Sequence, residues 1–137
     1  MKFLLDTNVL AELRKGSRAN AHVSTWFASL EPDAVLLSVL TVGEIRCGVE
    51  RIRRRDRRAA AALERWLRRL VEEHGDRILP IDLTVAEEWG RLNVPDPIPV
   101  VDGLLAATAK VHGLTLATRN VKDVDRTGAR LLNPFED

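Results

Sequence analysis

An α/β fold, in which a parallel sheet is covered by helices on both faces, is what this chain of 137 residues predicts. Two observations carry the prediction. Short apolar runs of strand length alternate along the chain with stretches whose apolar residues recur at helical spacing, the pattern of βαβ units. No repeat, low-complexity tract or linker interrupts that alternation, so residues 1–137 are expected to form a single domain. A chain of this length buries a self-sufficient core. Its 45% apolar and 30% charged residues match a soluble globular protein rather than a disordered one.

The elements follow in order. Lys2 to Leu5 reads as the first strand, ended by Asp6, with a helix starting near Thr7. Val23, Trp26, Phe27 and Leu30 repeat at i, i+3, i+4 and i+7, an amphipathic helix. Val35 to Leu37 is the second strand. Thr41-Val42-Gly43-Glu44 then opens a helix whose apolar stripe is Val42, Ile45, Val49 and Ile52. Leu63, Trp66, Leu67, Leu70 and Val71 mark another helix, and Arg77 to Pro80 a third strand. After the loop Pro95 to Pro99, a small apolar helix begins at Asp102. Thr115 to Ala117 and Arg130 to Leu132 complete five candidate strands.

Net charge is +1, but the total hides an asymmetry. Residues 51–69 hold nine arginines against Asp56 and Glu64, a local charge of +7 that leaves −6 on the rest of the chain. One strongly basic segment in a near-neutral chain suggests a localised anionic partner. Arg65, Arg68 and Arg69 are explained as the solvated face of a helix. Arg51, Arg53, Arg54, Arg55, Arg57 and Arg58 crowd into eight residues and repel one another without an anion, so they are expected either to contact a nucleic-acid backbone such as RNA or to form a face that serves a protein partner, a dimer or solubility. The few aromatic residues lie on apolar stripes, leaving no evident base-stacking platform. A single cysteine, Cys47, excludes an internal disulfide and fits a reducing compartment. No apolar run approaches the roughly 20 residues of a membrane span, and the N-terminus is acidic too soon for a signal peptide; a cytoplasmic protein without membrane contact is expected.

Three carboxylates stand out. Asp6 lies at the carboxyl end of a strand, where ligands bind in parallel sheets. Asp102 lies in the first turn of a helix, whose dipole favours the ionised form that a metal ligand needs. Glu44 lies about 120° from the centre of its helix's apolar stripe, facing water or a cleft. A hard divalent cation takes oxygen ligands of this kind, and such ions support phosphodiester cleavage. Each residue also has a plainer reading: Asp6 as a helix N-cap, Glu44 as the partner in a Thr41-x-x-Glu44 capping box, and Asp102 as a favourable first-turn charge. A fourth polar region, Thr118-Arg119-Asn120-Val121-Lys122-Asp123, again follows a strand and offers hydroxyl, amide and carboxylate groups. His22, His74 and His112 stand in unrelated contexts and are expected to be structural or solvated. Clustered carboxylates repel and drive one another toward protonation unless a cation is present. Neutralising Asp6 is accordingly expected to stop cleavage and stabilise the metal-free protein.

Leu4-Leu5-Asp6-Thr7-Asn8-Val9, Thr41 to Val49, Asp102 to Ala109 and His112 to Asn120, taken in order, resemble PIN-domain nucleases. Within that family the chain is most similar to the VapC-type and FitB-like toxins of bacterial type II toxin–antitoxin systems, down to the closing Leu132-Asn133-Pro134-Phe135. The resemblance implies a three-layer α/β/α fold with a central parallel sheet of four or five strands. It implies a Mg²⁺- or Mn²⁺-dependent endoribonuclease with a metal site of Asp6, Glu44 and Asp102. It also implies a cognate antitoxin, operator DNA bound only through that antitoxin, and a homodimer that joins the antitoxin in a heterotetramer or larger assembly. The chain departs from the pattern at Asn120, where FitB-like relatives carry a fourth aspartate; Asp123 is expected to take its place, with Thr118 helping to position water. The alternative within the family is a PIN-like module that binds RNA or a partner without catalysis. Phosphohydrolases of the haloacid dehalogenase type need a second aspartate where this chain has Asn8, and receiver domains need paired acids after the first strand.

Overall fold

A computed structural model describes residues 1–136 and shows five strands in one parallel sheet, ordered β3-β2-β1-β4-β5. Strands β1 (Phe3–Leu5), β2 (Val35–Ser38), β3 (Ile78–Leu79), β4 (Thr115–Ala117) and β5 (Arg130–Leu132) are short. Phe3 and Leu4 pair with Val35 and Leu36 on one side, and Phe3 to Leu5 pair with Thr115 to Ala117 on the other. The helices are α1 (Thr7–Arg14), α2 (Ala21–Ala28), α3 (Val39–Arg53), α4 (Arg57–His74), α5 (Leu83–Leu92), α6 (Val100–His112) and the single turn α7 (Val121–Val124).

Alternation along the buried strands divides the core into two layers. Phe3, Leu5, Val35 and Leu37 point to one face and pack with Val9, Leu10, Val23, Ile45, Leu67 and Leu70 of α1 to α4. Leu4 and Leu116 point to the other and pack with Leu105, Ala106 and Ala109 of α6. Both faces are therefore covered, which is why the strands read as continuous apolar runs rather than alternating ones. Among the described residues no helix is long and apolar enough to cross a membrane.

The expected third strand shrinks to Ile78–Leu79. Arg77 belongs instead to a 3₁₀ turn, where its guanidinium donates to the carbonyls of Pro32 and Glu73. Pro80 has no N–H with which to extend the ladder. Helix α3 starts earlier than its sequence suggests. Ser38 is the N-cap and accepts from the Leu40 N–H at 3.0 Å, so Thr41 lies inside the first turn, fully buried. The Thr41–Glu44 capping box does not form, and Glu44 is left free for another partner. Helix α6 likewise starts at Val100, two residues before Asp102.

The α5–α6 contact sets the position of Asp102. A Cβ at Gly103 would stand 3.2 Å from Cδ1 and Nε1 of Trp89 and 3.6 Å from Cβ of Ile98. Gly103→Ala should gain helix propensity yet force the rigid indole aside, for a net loss of about 1 kcal/mol in stability. Urea unfolding of the variant against the parent checks this.

Candidate functional site

In a parallel sheet all strands end at one edge, so the residues after β1, β2 and β4 become neighbours. Backbone bonds lock two of these exits: the Asp6 N–H donates to the Ala117 carbonyl and the Thr118 N–H to the Leu132 carbonyl, both at 3.0 Å. The Asp6 carboxylate, only 6% exposed, is then surrounded by donors. Its Oδ1 accepts from the Thr7 N–H at 2.6 Å, which is the capping role read from sequence. Its Oδ2 accepts from the Thr118 hydroxyl at 2.7 Å and from Nδ2 of Asn8 at 3.3 Å. Capping and service at the site thus belong to the same side chain. Thr118 is 1% exposed, and its oxygen in turn accepts from the Asn120 N–H at 3.0 Å.

Glu44 reaches the site through a residue that sequence reasoning passed over. The Thr7 hydroxyl donates to Oε1 of Glu44 at 2.6 Å, bridging α1 and α3. Asn8 is the second omission: besides its bond to Asp6, its Oδ1 accepts the Arg119 N–H at 3.5 Å. The signal was present, since both residues follow Asp6 directly in the first turn of a helix at a strand's carboxyl end.

Asp6, Thr7, Asn8, Glu44, Asp102 and Asn120 share an open cleft of about 590 Å³, walled by Pro99, Val100 and Val101. Among the described residues no donor bonds the Asp102 carboxylate. Partial burial pushes its pKa up to about 6, reinforced by the charges of Asp6, Asp123 and Glu44 in that order. The helix dipole, which favours the ionised form, is outweighed by desolvation and like charge. Asp123 does not line this cleft. It lines the adjoining one with Arg119, Lys122 and Asn133, and Asn120 belongs to both. Its charge still reaches Asp102, and more strongly than that of Glu44.

The cleft offers carboxylate, hydroxyl and amide oxygens and no lysine, arginine, histidine or cysteine. That donor chemistry suits a hard cation. Among the described residues no three His, Cys, Asp or Glu side chains converge closely enough to enclose an ion by themselves. A divalent ion that keeps several waters and takes only one or two carboxylates suits such a set.

The arginines separate into two groups. Arg53 pairs with Glu50 and Glu64, and Arg46 with the same two acids; Arg68 also meets Glu64. Those bonds hold Arg46 and Arg53 above the usual guanidinium range and Glu64 below the usual carboxylate range. Arg53 is therefore committed to the α3–α4 hairpin. Arg51, Arg54, Arg55, Arg57 and Arg58 are exposed and have no ion partner among the described residues. His74 contacts the Leu70 carbonyl at 2.9 Å within α4, and Cys47 is an exposed thiol; neither lines the cleft.

A model of the PIN domain matches residues 3–129. The chain is 34% identical to Toxin FitB of Neisseria gonorrhoeae, over 98% of this chain and 99% of that protein. The crystal structure of FitAcB from the same organism superposes with a TM-score of 0.90 at 33% identity, covering 98% of this chain and 99% of that one. VapC ribonuclease Y4jK of Sinorhizobium fredii is 31% identical over 97% of each chain. A toxin–antitoxin complex from Klebsiella pneumoniae is similar at a TM-score of 0.67 and 25% identity, covering 99% of this chain and 100% of that one.

Proposed function

Since this chain belongs to the PIN-domain family, we propose that it is a toxin, an endoribonuclease dependent on Mg²⁺ or Mn²⁺ and neutralised by a cognate antitoxin. The observation that carries the proposal is the cleft that Asp6, Glu44 and Asp102 line together with no cationic side chain among them. A protein that kept three carboxylates together for structure alone would bear their repulsion without return. The similarity to a ribonuclease and to a toxin–antitoxin complex supports the substrate and the partner.

Asp6, Glu44 and Asp102 would hold the cation, with Asp123 adding charge from the adjoining cleft. When bound, the ion would neutralise charge on the scissile phosphate and acidify the attacking water. The chain's own residues do the rest. Thr118 and Asn8 fix the orientation of Asp6 through Oδ2, and Thr7 fixes Glu44 through Oε1. Asn120, at the junction of the two clefts, can donate an amide hydrogen to a phosphate oxygen. Arg51, Arg54, Arg55, Arg57 and Arg58 supply positive charge for the RNA backbone. A homodimer that contacts operator DNA only through its antitoxin completes the proposal.

Cleavage of total cellular RNA by antitoxin-free protein is the test, run with Mg²⁺, with Mn²⁺ and with a chelator. Discrete products that require the metal are expected. Folded protein that binds Mn²⁺ and RNA yet cuts nothing would favour a non-catalytic module.

A further inference from the structure

The acidic cleft repels the substrate it is proposed to cut, so charge beside it must bring the RNA in. The sheet edge and α3 decide where that charge stands. At 100° per residue, Arg51 lies within about 20° of the direction of Glu44 on α3, and Arg55 follows in the turn one helical step beyond Arg51. The chain stays coiled just past the helix end: the Arg55 N–H donates to the Ile52 carbonyl at 3.0 Å in a tighter turn, and the Asp56 N–H to the same carbonyl at 2.8 Å. With a rise of 1.5 Å per residue, Arg51 and Arg55 stand roughly 10 and 16 Å along the axis from Glu44.

The remaining charges of the hairpin do not share that line. Arg46 and Arg53 are tied to Glu50 and Glu64 on the far flank of α3. Arg54 and Arg57 line a separate cleft of about 410 Å³ together with Glu50 and Arg53. The acid at the hairpin tip, Asp56, is used as the N-cap of α4, accepting from the Ala59 N–H at 3.0 Å. Arg51 and Arg55 therefore remain exposed, with no ion partner among the described residues, on the Glu44 side of α3 and the turn that follows it.

We propose that the Glu44–Arg51–Arg55 face of α3 is a track for one RNA strand, with Arg51 and Arg55 each gripping a phosphate on the same side of the bond to be cut. This rests on the endoribonuclease reading of the acidic cleft. The axial distances are several times the roughly 3.4 Å rise per nucleotide of a stacked strand, so each arginine meets a phosphate a few nucleotides from the cut. A single strand fits better than a duplex because Asp6 lies at the bottom of the cleft, 6% exposed, and only a flexible backbone bends down to it. The grip is electrostatic and indifferent to sequence.

The test uses a single-stranded RNA oligonucleotide that the protein cuts, with binding followed in chelator and cleavage followed with metal, across a salt series. Arg51→Ala and Arg55→Ala should each weaken binding about fivefold to tenfold and lower the slope of log K against log salt by about 0.7. Arg69→Ala, which removes an equal charge from the exposed face of α4, should change neither. Trimming the strand to fewer than about three nucleotides on one side of the cut should weaken wild-type binding but not that of the Arg51/Arg55 double variant, which has lost the same contacts. If wild type cuts and both variants behave like Arg69→Ala, the track is wrong while the nuclease stands, and that face then serves a protein partner. If wild type binds the strand but never cuts it, the nuclease reading falls, and the salt slopes alone decide whether the track exists.

Discussion

Asp102→Asn is expected to abolish RNA cleavage, by about a thousandfold or more, while making the metal-free protein more stable. The two effects have one origin. Asp102 sits half-buried beside Asp6, Asp123 and Glu44, and its pKa rises from the usual 3.8 to about 6. A carboxyl whose folded pKa lies above its unfolded value binds more protons in the folded state. Stability in chelator therefore falls as pH rises from about 4 through 6 and levels off above, where the carboxylate is charged in both states. The shift corresponds to about 3 kcal/mol at 1.36 kcal/mol per unit, and solvent screening at a partly exposed group reduces this to about 1–2 kcal/mol. Asparagine has nearly the same shape and no charge. Its advantage over the parent should be absent near pH 4 and complete by pH 7, read from urea midpoints in chelator. Saturating Mg²⁺ should stabilise the parent and not the variant, because an ion that binds only the folded state adds stability by mass action. A variant no more stable than the parent at pH 7, or one that still cut RNA, would remove Asp102 from the acidic site.

Relief of this kind, which the sequence predicts at Asp6, is opposed there by hydrogen bonds. Asp6 is the better satisfied carboxylate, holding the Thr7 N–H, the Asn8 amide and the Thr118 hydroxyl. Removing its charge would loosen bonds already made, whereas Asp102 has none to lose among the described residues. Sequence carried the five strands, the helices other than α5 and α7, and the placement of Asp6 and Asp102, because apolar periodicity and strand-end position are local properties of the chain. It did not carry the start of α3. Thr41-x-x-Glu44 is a sound local capping pattern, but Ser38 at the end of β2 caps first, and Thr41 is drawn into the core. The pairing of Thr7 with Glu44 spans 37 positions, and that of Thr118 with Asp6 spans 112. Contacts of such range depend on strand order, which no local pattern records. The arginine segment was legible as charge, but its division depended on which guanidinium groups meet Glu50 and Glu64 across the α3–α4 hairpin.

Thr118→Val should cost both stability and activity despite preserving side-chain shape. The hydroxyl donates its one proton to Oδ2 of Asp6 at 2.7 Å and accepts the Asn120 N–H at 3.0 Å. Valine leaves a buried carboxylate oxygen short of a donor, whereas the N–H of the exposed Asn120 can turn to water. An unsatisfied buried group costs about 1–3 kcal/mol, so a loss of about 1–3 kcal/mol is expected. Groups that orient a carboxylate toward a metal matter separately: their removal typically lowers metal affinity or activity about 10- to 100-fold. Thr118→Ser separates the two contributions. It restores donor and acceptor while giving up a methyl group, so it should recover most of the cleavage rate but only part of the stability, the methyl itself being worth about 1 kcal/mol. Chemical denaturation and metal-dependent cleavage, measured on all three proteins, read the two effects apart. Serine and valine variants with equal cleavage rates would show that the hydroxyl shapes the fold without orienting Asp6 for chemistry.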